Sequence, residues 1–167
     1  MGITTLFSSL LLLVLPLLLS NADARSLGSV SSAEQFLAPH NTLRASLRLP
    51  PLQWSTHLAA YATWYGNQRK GDCALEHSTA NYGENIFWGQ GKQWKIADAV
   101  AAWAAERADY NYKRNSCAPN ADCTHYTQMV WRTTQRLGCA KVICNSGDTF
   151  IVCEYDPHGN VIGARPY

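Results

Sequence analysis

The chemistry of this sequence centres on His125, which opens a run of hydroxyl, amide and aromatic side chains that ends at Trp131. An imidazole in such surroundings can ligate a metal ion, titrate near neutral pH or pack as a buried polar group. These three roles imply different functions. The residues and elements that surround His125 therefore decide what the protein can do.

Sequence signatures of hydrolytic catalysis are missing from the chain. It contains neither the H-E-x-x-H pattern of a zinc peptidase nor the G-x-S-x-G pattern that presents a serine nucleophile. We expect all six cysteines to form disulfides, which leaves no thiol to act as a nucleophile. The sequence therefore favours a binding protein over an enzyme.

The amino terminus has the features of a secretory leader. Residues 6–19 form a nearly pure apolar run, and Ala22-Asp23-Ala24 matches the small-x-small pattern that precedes cleavage. The run is too short to predict a membrane span. We expect residues 1–24 to be removed as a signal peptide. Residues 25–167 then form a single domain that we expect to be exported to the extracellular space and not to be an integral membrane protein.

The six cysteines all lie after the leader, and an even count in an exported chain predicts three disulfides. Two cysteines face each other when the chain is folded about the hairpin turn predicted at residues 145–148. Two others are close enough in sequence to close a local loop, and two remain for a long-range crosslink. The predicted pairs are, in that order, Cys139–Cys153, Cys117–Cys123 and Cys73–Cys144.

The pattern of apolar residues predicts an α+β fold, because helices and antiparallel strands occur without the strand–helix alternation of a parallel sheet. Ser31 and Ser32 are expected to cap the first helix. His40 and His57 fall on apolar helical stripes and are expected to pack, whereas His158 lies in a loop. The predicted helices begin near Glu34 and span Ser55 to Arg69, Ile96 to Arg107 and Thr124 to Val130, and the predicted strands span Asn85 to Trp88, Arg136 to Cys144 and Thr149 to Asp156.

The charge of the chain argues against nucleic-acid binding. The formal net charge is only +2 at pH 7, and no basic run or arginine-rich face occurs. A mild positive charge of this size is compatible with anionic walls or membranes.

Three motifs follow one another along the chain: Trp103 with Glu106, the run from His125 to Trp131, and a late Cys-Glu-Tyr-Asp-Pro-His-Gly-Asn stretch from Cys153. In this order they resemble the CAP family (cysteine-rich secretory protein, antigen 5, pathogenesis-related 1), and specifically its plant pathogenesis-related 1 type. The resemblance extends from about Glu34 to Tyr167. It implies an α-β-α sandwich, a small antiparallel sheet flanked by about four helices, with the same three disulfides. It also implies a secreted, monomeric plant defence protein with antimicrobial, for example antifungal, action.

The resemblance places four polar residues in one cleft: His77, Glu84, Glu106 and His125. Two neutral imidazoles with carboxylate support can hold Zn²⁺ or another divalent metal, and a carboxylate could then act as general base. Without a metal, each glutamate orients an imidazole and raises its pKa. We expect binding or structural roles, with no catalytic residue and no required cofactor. The alternatives are a metal-dependent peptidase that uses this cleft and a module that binds a pathogen or host protein.

Large aromatic residues surround a glycine-rich loop, at Phe87, Trp88 and Trp94. Such a segment could close over a flat lipid such as a sterol, and a loop in this region is implicated in sterol binding in the family. The alternative is that the two tryptophans pin the loop to the core.

The carboxyl-terminal residues 157–167 resemble the family's releasable signalling peptide, which would be cut after Asp156 and would begin at Pro157. The alternative is that Pro157 and Gly159 make a turn and the segment packs as part of the fold. One residue beside this segment departs from the family pattern. Glu154 stands where an amide, a basic residue or a serine usually precedes the tyrosine.

Overall fold

A computed structural model describes residues 1–2 and 30–167, so nearly all of the predicted signal peptide lies outside the described residues. Four helices and six strands follow one another, with a short 3-10 turn at Glu106–Ala108 after the third helix. The elements are α1 (Ser32–Ser46), β1 (Gln53–Trp54), α2 (Thr56–Gln68), β2 (Gly83–Gly89), α3 (Ile96–Ala105), β3 (Tyr110–Asn111), β4 (Ser116–Cys117), α4 (Thr124–Met129), β5 (Arg136–Ile143) and β6 (Thr149–Asp156).

The central sheet has the strand order β1-β5-β6-β2 and separates two layers of helices. Side chains on one face pack with α1, α3 and α4, as Ile151, Cys153 and Tyr155 of β6 do. The alternate residues of β6, Phe150 and Val152, pack against α2 on the other face. The predicted α-β-α sandwich of α+β class is therefore confirmed. Within the described ranges, no helix has both the length and the apolar character needed to cross a membrane.

The helix starts and the hairpin agree closely with the sequence predictions. The hydroxyl oxygens of Ser31 and Ser55 accept hydrogen bonds from backbone amides in the first turns of α1 and α2. In the hairpin, Cys139 lies opposite Cys153 in register. All three predicted disulfides are present: Cys73–Cys144, Cys117–Cys123 and Cys139–Cys153.

Two short strand pairs were not predicted. Strand β1 runs parallel to the start of β5, with Gln53 beside Arg136, and β3 and β4 form a separate two-stranded sheet. Strands β1, β3 and β4 have only two residues each, too few to show an alternating pattern. The third helix also ends earlier than predicted, at Ala105, where the chain tightens into the 3-10 turn.

Arg44 is fully buried and ties the first helix to the chain that follows α4. Its guanidinium donates to the backbone oxygens of Pro50 (2.8 Å), Met129 (3.0 Å), Trp131 (2.8 Å) and Thr134 (3.2 Å). Burial lowers the pKa of Arg44 to about 10. These carbonyls satisfy the buried cation, and the cation in turn fixes the exit of α4.

His40 is also fully buried, as predicted, and begins a hydrogen-bonded chain that reaches α4. Its Nδ1 lies 2.8 Å from the Phe36 oxygen and therefore carries the proton, so Nε2 accepts from the hydroxyl of Tyr155 at 2.8 Å. The amide of Asn85 donates both to that hydroxyl oxygen and to the backbone oxygen of His125 (3.1 Å each). Burial lowers the pKa of His40 to about 4.

The prediction for His57 was wrong, because its side chain is exposed on α2 rather than packed. His158 is exposed in a loop, as predicted.

Candidate functional site

His125 lies in the first turn of α4 and is held from two sides. Its Nδ1 lies 2.6 Å from Glu106 Oε1, and the other Glu106 oxygen accepts from the backbone amide of Tyr126 at 3.0 Å. The imidazole also stacks on Trp103, with ring centroids 6.2 Å apart and an interplanar angle of 15°. Glu106 follows the buried Trp103 by three positions, and the 3-10 turn carries its carboxylate to the edge of the core. Within residues 30–167 the second nitrogen of His125 makes no hydrogen bond, so it can meet a ligand.

His77 and Glu84 form a second pair at the start of β2. His77 Nδ1 lies 2.7 Å from Glu84 Oε1, which also accepts from the Ser78 amide at 2.9 Å. The His77 side chain is 65% exposed, whereas that of Glu84 is only 5% exposed. The hydrogen bond to Glu84 raises the pKa of His77. Burial opposes ionisation of Glu84, but its hydrogen bonds, led by that from His77, lower its pKa overall.

Asp122 lies close to Glu106 and His125, and its charge acts on His77. This residue was not identified from the sequence. Ligand atoms of Glu106, Asp122 and His125 all lie within 4.8 Å of one another. The negative charge of Asp122 also contributes to the raised pKa of His77. Burial opposes its ionisation, but hydrogen bonds from the hydroxyl and amide of Thr124 lower its pKa, so it carries a carboxylate at neutral pH.

The geometry therefore brings together one imidazole and two carboxylates that could hold a metal ion, while the set of His77, Glu84, Glu106 and His125 stays a prediction. One imidazole and two carboxylates suit Zn²⁺ or a similar divalent ion. His77 stays paired with Glu84 outside this group. A local signal was available in the sequence, since Asp122 precedes His125 by three residues in the loop closed by the Cys117–Cys123 disulfide.

A further carboxyl group lies behind Glu84. Glu154 of β6 sits directly opposite Glu84 of β2 and is fully buried. Neither of its oxygens has a hydrogen-bond partner in the described part of the chain, and Glu84 Oε2 also lacks one. Burial and the charge of Glu84 raise the pKa of Glu154 to about 9, so it is protonated at neutral pH. The protonated carboxyl is placed to donate toward Glu84 and so supports the orientation of His77.

In the aromatic loop, Trp88 is exposed to solvent, whereas Trp94 is fixed by contacts within the loop. Trp94 packs edge-on against Phe87, with centroids 5.3 Å apart, and its indole nitrogen donates to the Gln90 oxygen at 3.0 Å. A side chain at Gly89 would collide with the Trp94 ring, because a Cβ there would lie 2.4 Å from it. Trp88 points outward and is 43% exposed. Trp88 is thus the most exposed of the three rings, whereas Phe87 and Trp94 are half-buried.

The Asp156–Pro157 bond, at which peptide release was predicted, is fixed by contacts of the residues on both sides of it. The Asp156 carboxylate pairs with Arg136 at 2.5 Å, and the Asp156 carbonyl accepts from the Gln135 amide at 3.1 Å. The next carbonyl, that of Pro157, accepts from the Thr134 hydroxyl at 2.8 Å. A protease therefore needs local opening before it can bind this bond in an extended form.

The tail that follows packs against the β3–β4 hairpin. Tyr167 stacks on Tyr112 at 4.8 Å, and its backbone oxygen accepts from the Tyr112 hydroxyl at 2.7 Å. The Arg165 guanidinium lies over the same ring, 5.4 Å from its centroid. Between the tail and the Cys117–Cys123 loop lies a cavity of about 300 Å³ that includes Asp122 in its wall. The segment packs against the fold through these contacts, but its hydrogen-bonded turn runs from Val161 to Ala164 and not over Gly159 as predicted.

Comparison with known proteins extends these observations. A model of the Cysteine-rich secretory protein family, CAP, matches residues 37–155. The chain is 49% identical over 168 residues to "Pathogenesis-related protein PR-1" of Medicago truncatula, covering 96% of this chain and 97% of the relative.

Solved structures with the same fold include Na-ASP-1 and NaASP2. Na-ASP-1 has a TM-score of 0.69 and 28% identity, over 81% of this chain and 41% of that one. NaASP2, whose crystal structure was solved with Zn²⁺, has a TM-score of 0.66 and 25% identity, over 85% of this chain and 88% of that one.

Proposed function

Because the chain belongs to the Cysteine-rich secretory protein (CAP) family and is a pathogenesis-related defence protein of the plant type, we propose that it acts by binding a sterol or another lipid. Its relatives are named as pathogenesis-related proteins, and the role proposed for this chain is binding rather than catalysis. The three disulfides fit an oxidising extracellular compartment. The apoplast is its proposed place of action, where loss of a membrane sterol would harm a microbe.

The exposed indole of Trp88 is the observation that carries the lipid proposal. Its neighbours Phe87 and Trp94 pack against each other, so the loop is already ordered when a ligand arrives. A preformed aromatic surface binds a flat apolar molecule without a large ordering cost. The Gly91 amide, which donates to Asp148 at 2.8 Å, anchors the far side of the same loop.

A binding titration of radiolabelled cholesterol to the oxidised protein tests this function. We expect saturable binding that weakens about tenfold in Trp88→Ala, since the variant removes one aromatic stacking surface. Trp64→Ala is the matched control, because Trp64 is likewise exposed but lies on α2. Absence of saturable binding, in an assay where a known sterol carrier succeeds, would overturn the proposal.

The second element of the proposal is reversible binding of a divalent metal at Glu106, Asp122 and His125. The two carboxylates and one imidazole nitrogen supply hard and borderline ligands that suit Zn²⁺. The metal would fix the loop at Asp122 relative to α4 and so regulate the shape of the cleft. If zinc binding were accompanied by cleavage of a peptide library, the peptidase alternative would replace this one.

The third element is release of residues 157–167 as a defence signal. The supporting observation is that strand β6 ends at Asp156, so a cut after this residue leaves the central sheet complete. The tail is attached through its side chains and its backbone to the β3–β4 hairpin and α4, and not through a strand pairing. The fold thus stores the peptide in a form that local opening can expose.

A further inference from the structure

A partly exposed group of aromatic side chains on and beside α2 has no part in the functions above. It consists of His57, Tyr61 and Trp64 on one face of the helix, together with Tyr82 just before β2, and is called the aromatic platform below. Trp64 is 54% exposed, more than Trp88 at 43%. His57 is exposed as well, whereas Tyr61 and Tyr82 are half-buried. A contiguous apolar patch that reaches the surface in this way marks a binding surface more often than a single exposed residue does.

The platform is ordered by its own contacts. Tyr61 lies 5.3 Å from Trp64 and 5.5 Å from Tyr82, in the latter case in an edge-to-face arrangement. The Tyr82 hydroxyl and His57 Nε2 are 3.3 Å apart. On the helix, residues 57, 61 and 64 follow the three- and four-residue spacing that aligns side chains on one face. The rings are therefore positioned before any ligand binds.

The chemistry of the platform favours an uncharged partner that is rich in hydroxyl groups. None of its four side chains is a carboxylate, an ammonium or a guanidinium, and the next turn of the same face carries the amides of Asn67 and Gln68. The nearest cation on the helix, Arg69, already pairs with Asp72 at 2.8 Å and Glu76 at 2.9 Å. Anionic lipid or nucleic acid would find no free positive charge among these residues.

Neutral sugars match this surface. The C–H groups on one face of a pyranose ring carry partial positive charge and pack against the electron-rich face of an aromatic ring. Amide, imidazole and phenol groups at the edge of the platform can bond the sugar hydroxyls. We propose that the aromatic platform binds a neutral polysaccharide, with Trp64 as its principal stacking residue.

The platform is separate from the proposed sterol loop. Tyr82 precedes β2 and Trp88 lies near its other end, a distance on the order of 20 Å along an extended strand. One protein could therefore hold a wall polysaccharide through α2 while Trp88 remains free.

Depletion of the oxidised protein from solution by an insoluble polysaccharide tests the proposal. The probes are a β-1,3-glucan (curdlan) and microcrystalline cellulose, with neutral phosphatidylcholine vesicles as a third arm. We expect saturable binding to at least one polysaccharide that persists in 1 M salt, because no ion pair contributes. Trp64→Ala should weaken it about tenfold, and Trp64→Phe should retain most of it.

Trp88→Ala is the matched control and should bind the polysaccharide as the parent protein does. Circular dichroism should show that the Trp64 variants are folded, as expected for a side chain that is mostly in water. Failure of both polysaccharides to deplete the protein, or equal binding by the parent and Trp64→Ala, would overturn the proposal. Trp64-dependent binding to the vesicles alone would overturn it in favour of a membrane-facing role.

Discussion

Glu154 and Glu84 face each other across neighbouring strands, with the first fully buried and the second hydrogen-bonded to His77. Two carboxylates in this position would repel each other, so one of them keeps its proton. The pKa of Glu154 is raised to about 9, whereas that of Glu84 is lowered. The proton therefore resides on Glu154, and Glu84 keeps the charge that orients His77.

The first prediction concerns Glu154→Gln, which replaces a buried protonated carboxyl with a neutral amide of the same size. In the parent protein, the folded state binds this proton up to about pH 9, while the unfolded chain loses it near its ordinary pKa. Parent stability therefore falls as the pH rises from about 4.5 to 9, because the folded state holds more protons in that range. The variant should be more stable by on the order of 2 kcal/mol at pH 7, measured by urea unfolding.

That gain should shrink below pH 4.5, where the unfolded parent chain is also protonated. Glu34→Gln, at an exposed position on α1, is the control and should show no comparable dependence. A Glu154→Gln variant of equal or lower stability at pH 8 would contradict the assignment of the proton.

The second prediction concerns His40 and acid stability. The pKa of His40 is about 4 in the folded state, so the unfolded chain binds the proton first as the pH falls. Stability that is complete above about pH 6.5 should be lost as the pH falls toward 4, by about 3 kcal/mol. In His40→Gln this slope should be largely absent, although the variant should be less stable at pH 7 because the bonds to Phe36 and Tyr155 are altered. The measurement is urea unfolding between pH 4 and 7, and an unchanged slope would exclude His40 as its source.

Features with a local signal in the sequence could be predicted, whereas short pairings between distant segments could not. The cap at Ser31, the hairpin and the three disulfides were predicted from local patterns, from a turn that fixes register and from the cysteines that then remained, and these predictions were confirmed. The pairing of β1 with β5 joins residues far apart in sequence, and two residues carry too little pattern to reveal it.

Burial of individual polar residues was harder to predict than the elements. Arg44 lies on a face of α1 where helical spacing alone does not distinguish a snorkelling surface arginine from a buried one. Asp122 entered the candidate site only because the disulfide loop returns it to α4. His57 lies on an apolar stripe of the predicted helix, yet its side chain is exposed because the rest of the described chain does not cover that end of α2.

The third prediction concerns the divalent site. Zinc titration by calorimetry should show binding that weakens about 10- to 100-fold in Asp122→Asn, because the amide removes a charged ligand. His125→Ala should have an effect at least as large. His77→Ala should change zinc affinity little, since His77 lies outside the ligand group. Strong dependence on His77 with none on Asp122 would instead support the pair of histidines inferred from the sequence.

The fourth prediction concerns release of residues 157–167. Tyr112→Ala removes the ring that holds both Tyr167 and Arg165, but leaves the peptide itself unchanged. Release should become several-fold faster, because cleavage follows local opening of the tail. Mass spectrometry of the peptide after incubation with plant apoplastic fluid measures the rate. Lys113→Ala is the control, since Lys113 contributes its backbone oxygen, which the variant retains, and equal rates in the two variants would contradict the prediction.

The carbonyl partners of Arg44 also determine when the protein can fold. Thr134 follows Arg44 by 90 residues, so α1 leaves the ribosome long before the groups that neutralise its buried charge exist. At a synthesis rate of about 5–20 residues per second, roughly 5–20 seconds pass between the synthesis of Arg44 and that of Thr134. During that interval the cation favours the solvated chain over a buried position. The arginine thus disfavours compaction until the chain has been made as far as Thr134, shortly before Cys139, Cys144 and Cys153 supply the remaining disulfide partners.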